Sequence, residues 1–93
     1  MGKQLIENKE YFSMVTRIIR AAGFRAGNGD EYDLAALLHL ESSVFEATCQ
    51  AIALQLQNGR SWAFIGASFG VSRQAAFRRF ASRVSEIMGV IGN

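Results

Sequence analysis

The chain has 93 residues, no proline and one cysteine, carries a formal net charge of +2 at pH 7, and is 49% hydrophobic. This length suffices for one hydrophobic core, so we expect a single domain over residues 1–93, and one cysteine excludes an internal disulfide. No apolar run approaches 18 residues and the start, MGKQLIENKE, lacks the apolar stretch of a secretory signal. We therefore expect a cytoplasmic protein without a membrane partner.

The N-terminal segment, residues 1–29, is predicted to be one helix followed by a glycine-rich linker. The helix covers about residues 8–22, with Gly23 as its expected stop. Its apolar stripe consists of Phe12, Val15, Ile19 and Ala22. The following stretch, GFRAGNGD, holds three of the nine glycines and reads as a loop. An alternative is an arm in which Arg25 reaches a phosphate.

A long scaffold helix is predicted over residues 30–59. Asp30 or Asp33 is a suitable N-cap, with acidic side chains at the positive end of the helix dipole, and helical spacing of apolar residues continues to Asn58 and Gly59. Unbroken, this helix has about 25 residues and is roughly 37 Å long. Serine favours caps over helix interiors, so a break near residues 41–43 is the alternative.

Residues 61–80, SWAFIGASFGVSRQAAFRRF, have the pattern of a helix-turn-helix. Ser61 is the expected N-cap of the first helix, and Gly70 is free to adopt the positive φ that ends it. Gly66 leaves room for the second helix to cross closely, and Val71 is expected to fill the corner. The first helix has one apolar face, made of Trp62, Ile65, Gly66 and Phe69.

The second helix is predicted to begin at Arg73, after the cap Ser72. Residues 60–93 are thus expected to form a helix-turn-helix with an extended recognition helix. Its apolar side consists of Ala76, Phe80, Val84, Ile87 and Ile91, with Phe77 and Met88 at the edge. Its outward side chains are those that we expect to read bases in the major groove: Gln74, Ala75, Arg78 and Ser82. Arginine can bond guanine O6 and N7 together, and glutamine can do the same with adenine N6 and N7.

Positive charge is concentrated around this pattern. Residues 1–59 hold five basic and seven acidic side chains, whereas residues 60–93 hold five arginines and one acid, Glu86. Such clustering favours a polyanionic partner, here double-stranded DNA. The residues predicted to contact phosphates lie at helix starts or beside the reading face: Arg60, Ser61, Ser68, Ser72, Arg73, Arg79 and Arg83.

The string GRSWAFIGASFGVSRQAAFRRF resembles the helix-turn-helix of a family of small regulators from actinobacteria and their phages. That family reads G-x-SW-x-x-IG-x-x-x-GVSRQAA-x-x-RF here, after a long helix that begins Asp-Leu-Ala-Ala-Leu, as in residues 33–37 of this chain. The resemblance covers about residues 33–80 and implies an all-α fold and DNA binding without naming a target. The chain departs from the usual pattern at Phe64, Phe69 and Phe77.

Residues with catalytic or metal-binding chemistry do not form a recognisable site. His39 and Cys49 are ten residues apart, and no further His or Cys exists to complete a metal site. Cys49 lies on the apolar stripe of the scaffold helix, where a small core residue is expected. We therefore predict no enzyme, no cofactor and no metal.

The sequence thus predicts a small all-α domain of about four helices, with a helix-turn-helix at Ser61–Phe80 following a long scaffold helix. The expected function is a sequence-specific, repressor-like transcription regulator on the nucleoid, acting as a homodimer. One short reading helix specifies only a few base pairs, and two-fold symmetry is the common solution. The tail from Val84 to Ile91, the first helix or Phe64 is the candidate dimer contact. Alternatives are an adaptor that docks on RNA polymerase, or an architectural or recombination accessory factor.

Overall fold

The protein is all-α, with four helices in a computed structural model that describes the backbone of residues 2–92 and the side chains of residues 7–89. The helices are α1 (Gly2–Gly27), α2 (Glu31–Gln57), α3 (Trp62–Phe69) and α4 (Arg73–Gly92). The predicted fold class and element order are therefore confirmed. Among the residues described, no helix is long and apolar enough to cross a membrane.

The end predicted for the first helix was wrong, because α1 continues through Gly23 to Gly27. A glycine inside a helix lowers the stability of that helix by only about 1 kcal/mol relative to alanine. Four further helical residues can offset this loss. The chain turns instead at Asn28, whose backbone N–H bonds the Arg25 carbonyl at 3.2 Å and whose side-chain amide bonds the Phe24 carbonyl at 3.0 Å. Arg25 thus lies within the helix rather than in an extended arm.

The long α2 helix begins at a reciprocal cap formed by two aspartates. The Asp30 carboxylate accepts bonds from the backbone N–H groups of Tyr32 and Asp33, and the Asp33 carboxylate accepts one from the backbone N–H of Asp30. This arrangement satisfies helix-end donors in the manner of a capping box. The helix runs unbroken through residues 41–43 and ends before Gly59, at φ 94°. Its 27 residues make it about 40 Å long.

Packing divides the chain into two compact units, Met1–Glu41 and Ser42–Asn93. The C-terminal unit contains the hydrophobic core, formed by buried residues of α2, α3 and α4: Cys49, Ile52, Ala53, Ile65, Ala76, Phe80 and Val84. In the described part of the N-terminal unit, only Ala26 is buried. Cys49 is therefore a core residue as expected, and burial raises the pKa of its thiol.

The far part of α4 contributes to the core of its own unit. Val84 is fully buried, and Ile87 and Met88 are half-buried against the core cluster. These side chains are covered within one chain, so they are poor candidates for the main contact of a dimer. The predicted contribution of Ile91 falls outside the side chains that the structure describes.

Candidate nucleic-acid interface

Helix α3 begins at the predicted cap, and the backbone of the following turn approaches it closely at Gly66. The Ser61 hydroxyl accepts a bond from the Phe64 backbone N–H at 3.1 Å. A Cβ atom on Gly66 would lie 2.9 Å from the Ser72 carbonyl carbon and oxygen and from the Val71 oxygen, closer than real Cβ contacts allow. The turn backbone just before α4 therefore rests directly on Gly66, at the position where the sequence predicted a close approach of the second helix.

The turn between α3 and α4 is fixed by backbone bonds and a second serine cap. Gly70 has φ 71°, its N–H bonds the Ala67 carbonyl, and the next N–H bonds the Gly66 carbonyl at 2.9 Å. These two bonds close the helix end in the Schellman manner. The Ser72 hydroxyl accepts a bond from the Ala75 N–H at 3.0 Å, so α4 starts at Arg73 as predicted. Val71 does not fill the corner, since it is 45% exposed.

The outward face of α4 is the face predicted to read bases. Its inward residues Ala76, Phe80 and Val84 are buried, which fixes how the helix is rotated about its axis. The opposite side is exposed at every predicted position: Gln74, Ala75, Arg78 and Ser82. A helix anchored on one side and polar on the other has the form of a reading element for the major groove.

The three serines predicted to contact phosphates differ in whether their hydroxyl proton is already donated to another group. Ser61 and Ser72 accept cap bonds, and each retains its own proton for donation to a phosphate. Ser68 instead donates its proton to the Phe64 carbonyl at 2.9 Å. Ser61 and Ser72 are thus the better phosphate donors of the three.

Two of the predicted phosphate arginines lie across aromatic rings. The Arg60 guanidinium carbon is 4.3 Å from the centre of the Phe64 ring, and that of Arg79 is 5.1 Å from the centre of the Phe80 ring. Stacking on a ring face leaves the guanidinium edges open to acceptors. Phe64, whose role the sequence did not indicate, is therefore a support for Arg60.

The structure gives Arg83 a role other than the one predicted. Its Nε donates to Glu46 Oε2 at 2.8 Å, its Nη2 donates to Glu46 Oε1, and its Nη1 donates to Glu86 Oε2 at 2.9 Å. This two-pronged bond to Glu46 joins α4 to α2 inside the C-terminal unit. Because all three nitrogens are engaged with carboxylates, we remove Arg83 from the proposed phosphate contacts.

The Glu46–Arg83 pair predicts a dependence of stability on pH. The bonds from Arg83 hold the pKa of Glu46 below its ordinary value of 4.5, so the pair stabilises the fold above that pH and is lost as pH falls through the lowered pKa. We expect the melting temperature of the native chain to fall more steeply below about pH 4.5 than that of Glu46→Gln. Equal slopes in thermal denaturation from pH 6 to roughly pH 3 would contradict a stabilising pair.

Sequence reasoning missed this pair because its members are 37 residues apart. Helical spacing would have indicated only the bond between Arg83 and Glu86, at i and i+3.

No group of three or more His, Cys, Asp or Glu side chains that could hold a metal occurs among the residues described. Comparisons with family models, with curated proteins and with solved structures gave no significant match for this chain.

Proposed function

We propose that the protein is a sequence-specific double-stranded DNA-binding regulator that reads the major groove with α4. The observation that carries this proposal is the exposed polar face of α4, Gln74, Arg78 and Ser82, held outward by the buried face behind it. The resemblance of residues 61–80 to small actinobacterial and phage regulators favours the same function, with repression as its expected outcome and the nucleoid as its place of action.

The charges of the C-terminal unit support a polyanionic partner. This unit holds five arginines and two glutamates, and both glutamates pair with Arg83. In the part of the chain that the structure describes, the other four arginines, Arg60, Arg73, Arg78 and Arg79, make no ion pair. They surround the turn and the reading face, where phosphate contacts fix the register of a helix on DNA.

A salt titration tests the proposal. We expect the affinity for a random-sequence duplex, measured by fluorescence anisotropy, to fall steeply with salt because phosphate contacts release counterions. Arg79→Ala should reduce the slope of log K against log salt by about one unit. Arg83→Ala is the matched control and should leave the slope unchanged at temperatures where it remains folded.

Other outcomes distinguish the alternatives. An adaptor should show little binding to duplex at any salt, and binding to purified RNA polymerase would then be the next measurement. Tight binding that never exceeds the random-duplex affinity for any selected sequence would indicate an architectural or recombination accessory factor. In the proposed regulator, a homodimer presents two copies of α4 to half-sites about 34 Å apart.

A further inference from the structure

The N-terminal unit has an apolar surface that the residues of this unit do not cover. Tyr11 and Ile18 lie seven residues apart on one side of α1, at 58% and 60% exposure, with Met14 between them at 42%. Phe12 and Ile19 lie beside this stripe, at 66% and 37% exposure. These five residues are called the α1 face below. Monomeric soluble proteins rarely expose apolar surface so continuously.

Burial within the N-terminal unit does not account for its stability. Ala26, the one buried residue in its described part, lies near the end of α1, and one small side chain excludes little water. Units of about 40 residues need support from disulfides, metals or association. The unit has no cysteine, and no metal-binding group occurs among the described residues. Neither a disulfide nor a described metal site therefore supports this unit, and association through the α1 face would supply such support.

We propose that the α1 face binds the α1 face of a second copy of this chain, with the two helices antiparallel. Their charges select this arrangement, because Glu10 and Arg17 are seven residues apart on one edge of the stripe. An antiparallel pair with its two-fold axis near Met14 sets Glu10 beside Arg17 of the second copy, twice, and Tyr11 beside its Ile18. A parallel pair would offer these charges no opposite partner.

The size of the surface is appropriate for a dimer. A buried aromatic side chain covers about 150–250 Å², so the exposed parts of Tyr11 and Phe12 amount to roughly 200 Å². The three aliphatic residues add a comparable area, and a two-fold interface counts the patch twice. The total approaches about 1,000 Å², where specific interfaces begin. The inference rests on the homodimer of the proposed function and names its contact, but it does not depend on DNA binding.

Sedimentation equilibrium of the full chain without DNA, at concentrations around 10–100 μM, tests this pairing. We expect the native chain to be a dimer and Ile18→Glu to be a folded monomer. Leu54→Glu is the matched control, because Leu54 is similarly exposed, at 54%, but lies on α2 in the other unit. A monomeric native chain, or an Ile18→Glu variant that still dimerises, would overturn the proposal.

Charge exchange tests the antiparallel arrangement. Arg17→Glu and Glu10→Arg should each raise the dimer dissociation constant about tenfold or more, because each replaces two attractive contacts by two repulsive ones. The double variant Glu10→Arg/Arg17→Glu should recover most of the native affinity. Failure of the double variant to recover would show that these residues do not meet across the interface. Because no DNA is present, these results test the dimer contact alone, and the salt titration tests DNA binding separately.

Discussion

Arg78→Ala should reduce binding to the cognate site by about 1–3 kcal/mol, or roughly 5–150-fold, and reduce binding to random DNA much less. Arg78 lies on the exposed side of α4, one helical turn from Gln74, and makes no ion pair within the described residues. A base contact of this kind forms only on a duplex that carries the matching base. Removing Arg78 should therefore reduce the affinity for that duplex and have much less effect on others. The cognate site can be obtained by selection from a random duplex pool, and both affinities measured by anisotropy.

The ratio of the two affinities decides the role of Arg78. Equal losses on cognate and random duplex would make it a phosphate contact, contrary to the proposal. Arg79→Ala is the informative comparison, since it lies next in the chain but packs over the Phe80 ring. This substitution should weaken the binding to both duplexes to a similar extent and leave the site preference unchanged.

Gly66→Ala should destabilise the protein by about 1–3 kcal/mol, because the added methyl group has no room. Its three nearest neighbours, at 2.9 Å, are backbone atoms of Val71 and Ser72, which cannot rotate away as a side chain can. The turn must move, and with it the start of α4. For a domain of this size, each 1 kcal/mol lowers the melting temperature by about 4–8 °C, which circular dichroism can measure.

Gly23→Ala is the matched control for the same added methyl group. Gly23 lies inside α1 and has no atom within 4 Å of its would-be Cβ. Alanine there should stabilise the protein by roughly 0.5–1 kcal/mol. A loss of stability would mean that α1 ends at Gly23 after all, and a Gly66→Ala variant as stable as the native chain would exclude the close contact at the turn.

The sequence alone determined the features that arise from neighbours along the chain. The caps at Ser61 and Ser72 and the turn at the left-handed Gly70 involve residues at most five positions apart. The outward face of α4 follows from 3.6 residues per turn once its apolar side is recognised. Local hydrogen bonds and helical period are readable from residue order, which is why the element order and the exposed polar face of α4 could be predicted.

Only the tertiary structure decided where long-range partners and uncovered surfaces lie. Arg83 was predicted to contact DNA because its position on α4 flanks the reading face, but Glu46 lies 37 residues earlier and takes its guanidinium. The apolar residues of α1 were predicted to share one stripe, but the prediction did not say whether that stripe is covered, and Phe12 is 66% exposed. Helical period shows that apolar residues share a face, whereas the positions of the other helices determine whether that face is covered. For α1, the N-terminal unit by itself leaves most of that face uncovered.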